Sequence, residues 1–105
     1  MTAFIIDRDL LHEKYPDFTS RVGTMGPSGI SDRDVERLKE GEGIAFRLHD
    51  DDGELYFVGR RLEESDADQF YDAEPELAPL DCLGMPDAGC TSQRELNAEG
   101  QWVAL

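Results

Sequence analysis

Two short runs of alternating residues bracket a turn near the middle of the chain, and they constrain the fold more than any other feature. Ile44, Phe46 and Leu48 alternate with Ala45, Arg47 and His49; on the return, Leu55 and Phe57 alternate with Tyr56 and Val58. A period of two sends successive side chains to opposite faces of a strand. Asp50-Asp51-Asp52-Gly53 lies between the runs, and Asp52-Gly53 is a preferred hairpin dipeptide. The segment is predicted to be an antiparallel hairpin with an acidic tip reaching to Glu54. Gly59, beyond the second run, marks a bulge or a close approach of neighbouring backbone.

A helix over 32–40 precedes this hairpin. Ser31 is a good N-cap, Asp34 stands three residues on as a short capping-box partner, and Ile30 and Val35 occupy staple positions. Val35 and Leu38 share a face, Arg37 and Lys39 suit the negative end of the helix dipole, and Gly41 fits the position after the C-cap. The remaining elements are weaker. Ala3 to Ile6 reads as a strand; Asp7 then reads as a helix start, with two turns from Arg8 to Lys14 that Pro16 stops. Phe18 to Met25 reads as a strand carrying Val22, and Asp66 to Tyr71 as a short helix capped by Ser65. Pro75 to Gly89 reads as irregular chain pinned by Leu77, Leu80, Leu83 and Met85. Thr91–Leu96 and Gln101–Leu105 form a closing hairpin with Trp102 inward. The elements do not alternate as βαβ units. The expectation is one α+β domain over 1–105, with a mostly antiparallel sheet of four to six strands, one clear helix and one or two short ones.

With 105 residues, 39% of them hydrophobic, the chain can bury one modest core. It has no apolar run of membrane-spanning length, and its N-terminus lacks the basic start of a signal peptide. The expected location is therefore the cytoplasm, where Cys82 and Cys90 are expected to be reduced thiols. The 24 acids outnumber the 10 bases, giving a net charge of −14. That balance disfavours direct contact with nucleic acid or an anionic membrane and favours a basic partner.

The familiar site patterns are absent or incomplete. Cys82 and Cys90 are too far apart for a zinc knuckle, and only convergence with His12 and His49 would give four ligands. Asp50, Asp52 and Glu54 alternate as in an EF-hand, but the sixth and twelfth positions of that loop would be Leu55 and Arg61 rather than Gly and Glu. A solvated hairpin tip is the expected reading. Gly23 to Gly29 is glycine-rich but lacks the Lys-Ser/Thr ending of a phosphate loop. No pair among the many carboxylates stands out as an acid–base couple. No catalytic residue, metal or cofactor is assigned.

The feature left over is a 32-residue stretch, Leu62 to Gln93, with nine acids and no Lys or Arg. An ordinary ion-paired surface mixes the signs. Closely spaced carboxylates on a rigid face are able to compete with the phosphates of DNA for a basic groove. Charge alone seldom supplies affinity, so Phe70 and Tyr71 within the stretch are the candidate apolar contacts. The candidate partner-binding residues are Asp50, Asp51, Asp52, Glu54, Glu63, Glu64, Asp66, Asp68, Phe70, Tyr71, Asp72, Glu74 and Glu76. A competing expectation is a binding module whose acidity serves solubility and whose contact is an aromatic patch near Tyr15, Phe18 or Tyr56; a second alternative is a small metal-binding protein or enzyme.

Several fragments stand out together: Arg21-Val22-Gly23 with Met25-Gly26-Pro27, Asp51-Asp52-Gly53-Glu54-Leu55-Tyr56, Pro86-Asp87-Ala88-Gly89-Cys90-Thr91, and Gly100-Gln101-Trp102-Val103. The chain resembles in them a class of small bacterial proteins of about this length, a resemblance that implies no particular activity. In size and charge it is similar to phage-encoded inhibitors that imitate DNA, among them anti-restriction and anti-CRISPR proteins; that likeness is one of composition. The expectation is a non-enzymatic acidic interaction protein, a monomer or small dimer. Its expected partner is a basic protein surface, such as that of a nucleic-acid-handling complex.

Overall fold

A computed structural model describes residues 3–26, 30–63 and 77–105. The chain is α+β. The described residues form six strands, β1 (Phe4–Asp9), β2 (Met25–Gly26), β3 (Ile44–His49), β4 (Leu55–Arg61), β5 (Ser92–Leu96) and β6 (Trp102–Ala104). They form one antiparallel sheet in the order β2-β1-β4-β3-β5-β6. Its helices are α1 (Leu10–Lys14), α2 (Asp32–Lys39) and α3 (Met85–Ala88), the last preceded by a π-helical turn, Leu80–Gly84.

The alternation predicted for β3 and β4 places Phe46, Leu48 and Phe57 on one sheet face, where they join Phe4 and Ile6 of β1. Ala78, Leu80, Leu83 and Cys90 cover that face. The opposite face carries Ile5, which packs with Ala3, Leu62 and Leu38 of α2. The sheet is therefore covered on both sides, by the 77–90 segment on one and by α2 on part of the other. Gly59 pairs with Ile6 of β1 and Phe46 of β3, and a Cβ there would overlap the Ile5 carbonyl oxygen and the Phe46 ring. The close approach expected of this glycine is real.

Helix α2 follows its local signals. Ser31 Oγ accepts a hydrogen bond from Asp34 N (3.2 Å). At the other end Gly41, with φ of 95°, donates to Leu38 O, and Glu42 N donates to Arg37 O, the paired bonds of a Schellman motif. The regular helix ends at Lys39, with Glu40 as its C-cap.

Four local expectations are corrected. The first strand continues to Asp9, so α1 starts three residues later than its Asp7 start signal, with Asp9 as N-cap. The Phe18–Met25 segment is mostly a connecting loop: it touches β1 through Gly23 N to Ile6 O and Ile6 N to Thr24 O, and only Met25–Gly26 forms the strand, leaving Val22 exposed. Residues 77–88, expected to be irregular, are helical, and the Leu80 amide at the start of the π turn donates to the buried Gln93 Oε1. Trp102 is half-buried on the α2 side of the sheet, where the Arg47 guanidinium stacks 3.9 Å from its ring centre. The proposed helix from Asp66 to Tyr71 lies outside the described residues.

Candidate functional site

The acidic tip is a built loop. Asp50 N donates to Glu54 O, and Gly53 N donates to Asp50 O. The β-turn is thus Asp50–Gly53, centred on Asp51-Asp52, and Gly53 follows at φ of 82°, so the hairpin loop has three residues instead of two. Asp50 Oδ1 accepts from Asp52 N (3.0 Å) and Glu54 N (2.8 Å). These amides, that of Glu54 foremost, together with the Tyr56 hydroxyl, hold the Asp50 carboxyl below the usual aspartate range. The same contact with Asp50 raises the Tyr56 phenol. His49 is buried beneath the tip and its Nδ1 donates to Gly53 O (3.1 Å), which fixes its tautomer because a carbonyl can only accept. Sequence reasoning weighed His49 as a metal ligand; here it pins the turn.

The candidate acids divide into several groups. Asp50 is committed to the turn, and Glu54 pairs with Lys14 Nζ at 2.9 Å. Asp51 and Asp52 are exposed at the apex. Glu63 is also exposed but follows the far end of β4. A seven-residue strand rising ~3.3 Å per residue separates it from the tip by roughly 20 Å. The tip acids and Glu63 therefore do not form one patch. Glu64, Asp66, Asp68, Phe70, Tyr71, Asp72, Glu74 and Glu76 lie outside the described residues. Among the described residues, no three His, Cys, Asp or Glu side chains gather as a metal-binding group, and neither cysteine forms a disulfide.

The structure brings an apolar groove to the tip end of the sheet. It has a volume of about 370 Å³ and is lined by Asp9, Leu11, Phe18, Thr19, Arg21, Tyr56, Phe57 and Ala88. Asp9 organises it: buried at the end of β1, it accepts from His12 N (2.8 Å) through Oδ1 and from Arg21 N (2.9 Å) through Oδ2. One carboxylate thereby fastens α1 and the following loop to the sheet. His12 Nδ1 donates to Phe18 O, and Phe18 N donates to Tyr15 O. The loop so held displays Tyr15, Phe18 and Val22, which are 47%, 56% and 55% exposed, and the two aromatic rings meet edge to face at 5.9 Å. Groove and tip adjoin at the start of β4, where Tyr56 lines the groove and Lys14 of α1 reaches Glu54 of the tip. Tyr15, Phe18 and Tyr56 were noted in the sequence as a possible patch. The contributions of Asp9, Leu11 and Ala88 had no sequence signal, because the lining comes from the β1 end, α1, its loop, β4 and α3.

Positive charge is gathered elsewhere. Strand register aligns Arg8, Val58, Arg47 and Arg94 across β1, β4, β3 and β5, so these side chains share the α2 face of the sheet, as does Arg60 two residues after Val58. Among the described residues, Arg8 pairs with Glu13, Lys14 with Glu54, Arg37 with Glu42, Arg60 with Asp7 and Arg61 with Glu95. No helix of the described residues is long and apolar enough to cross a membrane.

Comparison with family models, with curated proteins and with solved structures found no match.

Proposed function

We propose that this chain is a non-enzymatic acidic interaction protein of the cytoplasm. It docks on a basic protein surface and occludes it, in the way an inhibitor blocks a nucleic-acid-binding groove. One observation carries the reading: how the bases are used. All ten Lys and Arg residues lie outside the Leu62–Gln93 stretch with its nine acids. Among the described residues, Arg8, Lys14, Arg37, Arg60 and Arg61 are engaged in ion pairs with acids that also lie outside it. The chain thus spends much of its positive charge on acids elsewhere in the sequence, which supports a basic partner for the stretch.

The test is capture from a host lysate washed at graded salt, with wild-type protein beside the variant Asp66→Lys/Asp68→Lys/Asp72→Lys/Glu74→Lys. A partner that elutes earlier from the variant than from wild type, with the variant's circular dichroism unchanged, supports the reading. Equal retention by both proteins at every salt concentration removes it.

A further inference from the structure

We infer that the groove beside the acidic tip receives an apolar side chain from a lysine- or arginine-rich segment of the partner, the tip carboxylates meeting the flanking cations. The inference rests on the reading of this chain as an acidic docking protein and identifies the contact that would supply affinity.

Solvated carboxylates bring a basic partner in quickly but contribute little once it is bound. Binding energy at protein interfaces concentrates in a few apolar anchors seated in pockets. Among the described residues the tip end of the sheet offers such a pocket. Leu11, Phe18, Tyr56, Phe57 and Ala88 supply its apolar wall. At about 370 Å³ it sits at the low end of the ~300–1,000 Å³ typical of ligand sites, a size suited to one or two side chains rather than to an extended molecule.

Three large apolar residues of a single short loop, Tyr15, Phe18 and Val22, stand exposed around this end of the molecule. Scattered singly such residues are ordinary, but grouped they mark an interaction surface. They are also held in advance. The Asp9 carboxylate fixes the loop's ends through His12 N and Arg21 N, and the His12 ring holds the Phe18 carbonyl. A preformed display lowers the ordering cost of binding.

Charge selects the occupant. Asp17 is exposed beside Phe18, and Asp51 and Asp52 are exposed in the tip, whose Glu54 pairs with Lys14 of α1 beside the groove. The cations of this neighbourhood are occupied: Lys14 by Glu54 and the Tyr15 ring, and Arg21 by Thr19 O. An apolar residue flanked by Lys or Arg therefore matches both the wall and its rim. An acidic or neutral segment matches only the wall.

The experiment uses the full chain and two labelled peptides, followed by fluorescence anisotropy at low and physiological salt. One peptide is rich in Lys and Arg around a central Phe; the other has Ala in place of that Phe. Burying the ring should make the Phe peptide about 10- to 100-fold tighter at both salt concentrations. Phe18→Ala, at a position more than half exposed and so tolerable to the fold, should erase that difference. Ala88→Leu, which fills the groove instead of emptying it, should do the same. Asp51→Lys/Asp52→Lys should weaken both peptides by a similar factor and flatten their salt dependence.

Equal affinity of the two peptides for wild type overturns the groove inference while leaving the acidic reading intact. Salt-independent affinity that ignores the tip reversal contradicts the acidic reading while leaving the groove in place. Binding of neither peptide at low salt overturns the inference. So does a concentration-dependent dimer that Phe18→Ala dissociates, since the occupant would then be a second copy of the chain.

Discussion

Arg61 and Glu95 give the sharpest test of how this fold is held together. The Arg61 side chain is 3% exposed and that of Glu95 13%, and the fork of the guanidinium meets the carboxylate through Nε at 2.5 Å and Nη2 at 2.6 Å. The pair sits on the sheet face that carries the main core, at the ends of β4 and β5 away from the acidic tip. Arg61 Nη1 is buried with no hydrogen-bond partner, so part of the cost of dehydrating the guanidinium is already uncompensated. Replacing Arg61 alone with Met strands a nearly buried carboxylate, and breaking such a pair from one side costs about 3–5 kcal/mol. That is a large share of the ~5–15 kcal/mol total stability of a typical domain. Replacing both partners, as Arg61→Met/Glu95→Leu, removes the two desolvation penalties together and should lie within about 1 kcal/mol of wild type, or be more stable. Urea denaturation of wild type, both single variants and the double variant closes the cycle, with unchanged m-values required before the midpoints are compared. A single Arg61→Met variant that costs under about 1 kcal/mol would refute the reasoning, because a solvated pair contributes no more than that. Additive single-variant losses would refute it equally.

Three further outcomes follow from local geometry. Gly59→Ala places a methyl against the Ile5 carbonyl and the Phe46 ring, so it should cost at least the ~1–3 kcal/mol of overpacking; a neutral melting temperature would contradict the observed strand spacing. The Asp50 carboxyl titrates below its ordinary range because turn amides and the Tyr56 hydroxyl bond to it. Its stabilisation is therefore complete above the unfolded value near ~3.9 and is lost as pH falls through the lower folded value, so Asp50→Ala should be less stable than wild type at neutral pH and converge with it in acid; a constant difference across that range would count against this role. Burial, reinforced by the charge of Asp50, pushes the Cys90 thiol up to about 12, whereas Cys82 is exposed. A thiol reagent at mildly alkaline pH should label Cys82 alone until denaturant is added, and prompt native labelling of Cys90 would show its packing to be wrong.

Which features could be read from the sequence depended on the range of the interactions behind them. Helix α2 was legible because its cap, its staple and its Schellman glycine all act within one turn of its ends. The central hairpin was legible because alternation and turn chemistry are adjacent in the chain. The helical 77–88 segment was missed because its prolines and glycines read as breakers. Yet Pro86 sits in the first turn of α3, where a missing amide costs nothing, and the buried Gln93 holds the start of the preceding turn from a strand beyond it. Asp7 was mistaken for a helix start because Asp9 carries the same capping chemistry two residues later.

The candidate site was legible only in pieces. The tip acids could be named, but their division could not: Asp50 is absorbed by the turn, Glu54 is neutralised by a lysine 40 residues away, and Glu63 stands a strand's length off. The aromatic residues of the groove were visible as a loose group. Their convergence with Leu11 and Ala88 is a product of tertiary structure, as is the Asp9 carboxylate that fixes their loop.

The central claim is occlusion of a basic nucleic-acid-binding surface, and competition measures it most directly. The partner recovered by capture is loaded with labelled nucleic acid, and the chain is titrated into the complex at physiological salt. The account predicts full displacement of the nucleic acid, with an apparent affinity that weakens in proportion to the nucleic acid added and falls sharply in the variants that reverse the acidic residues. A stable ternary complex, in which the partner holds the chain and its nucleic acid together, would contradict it.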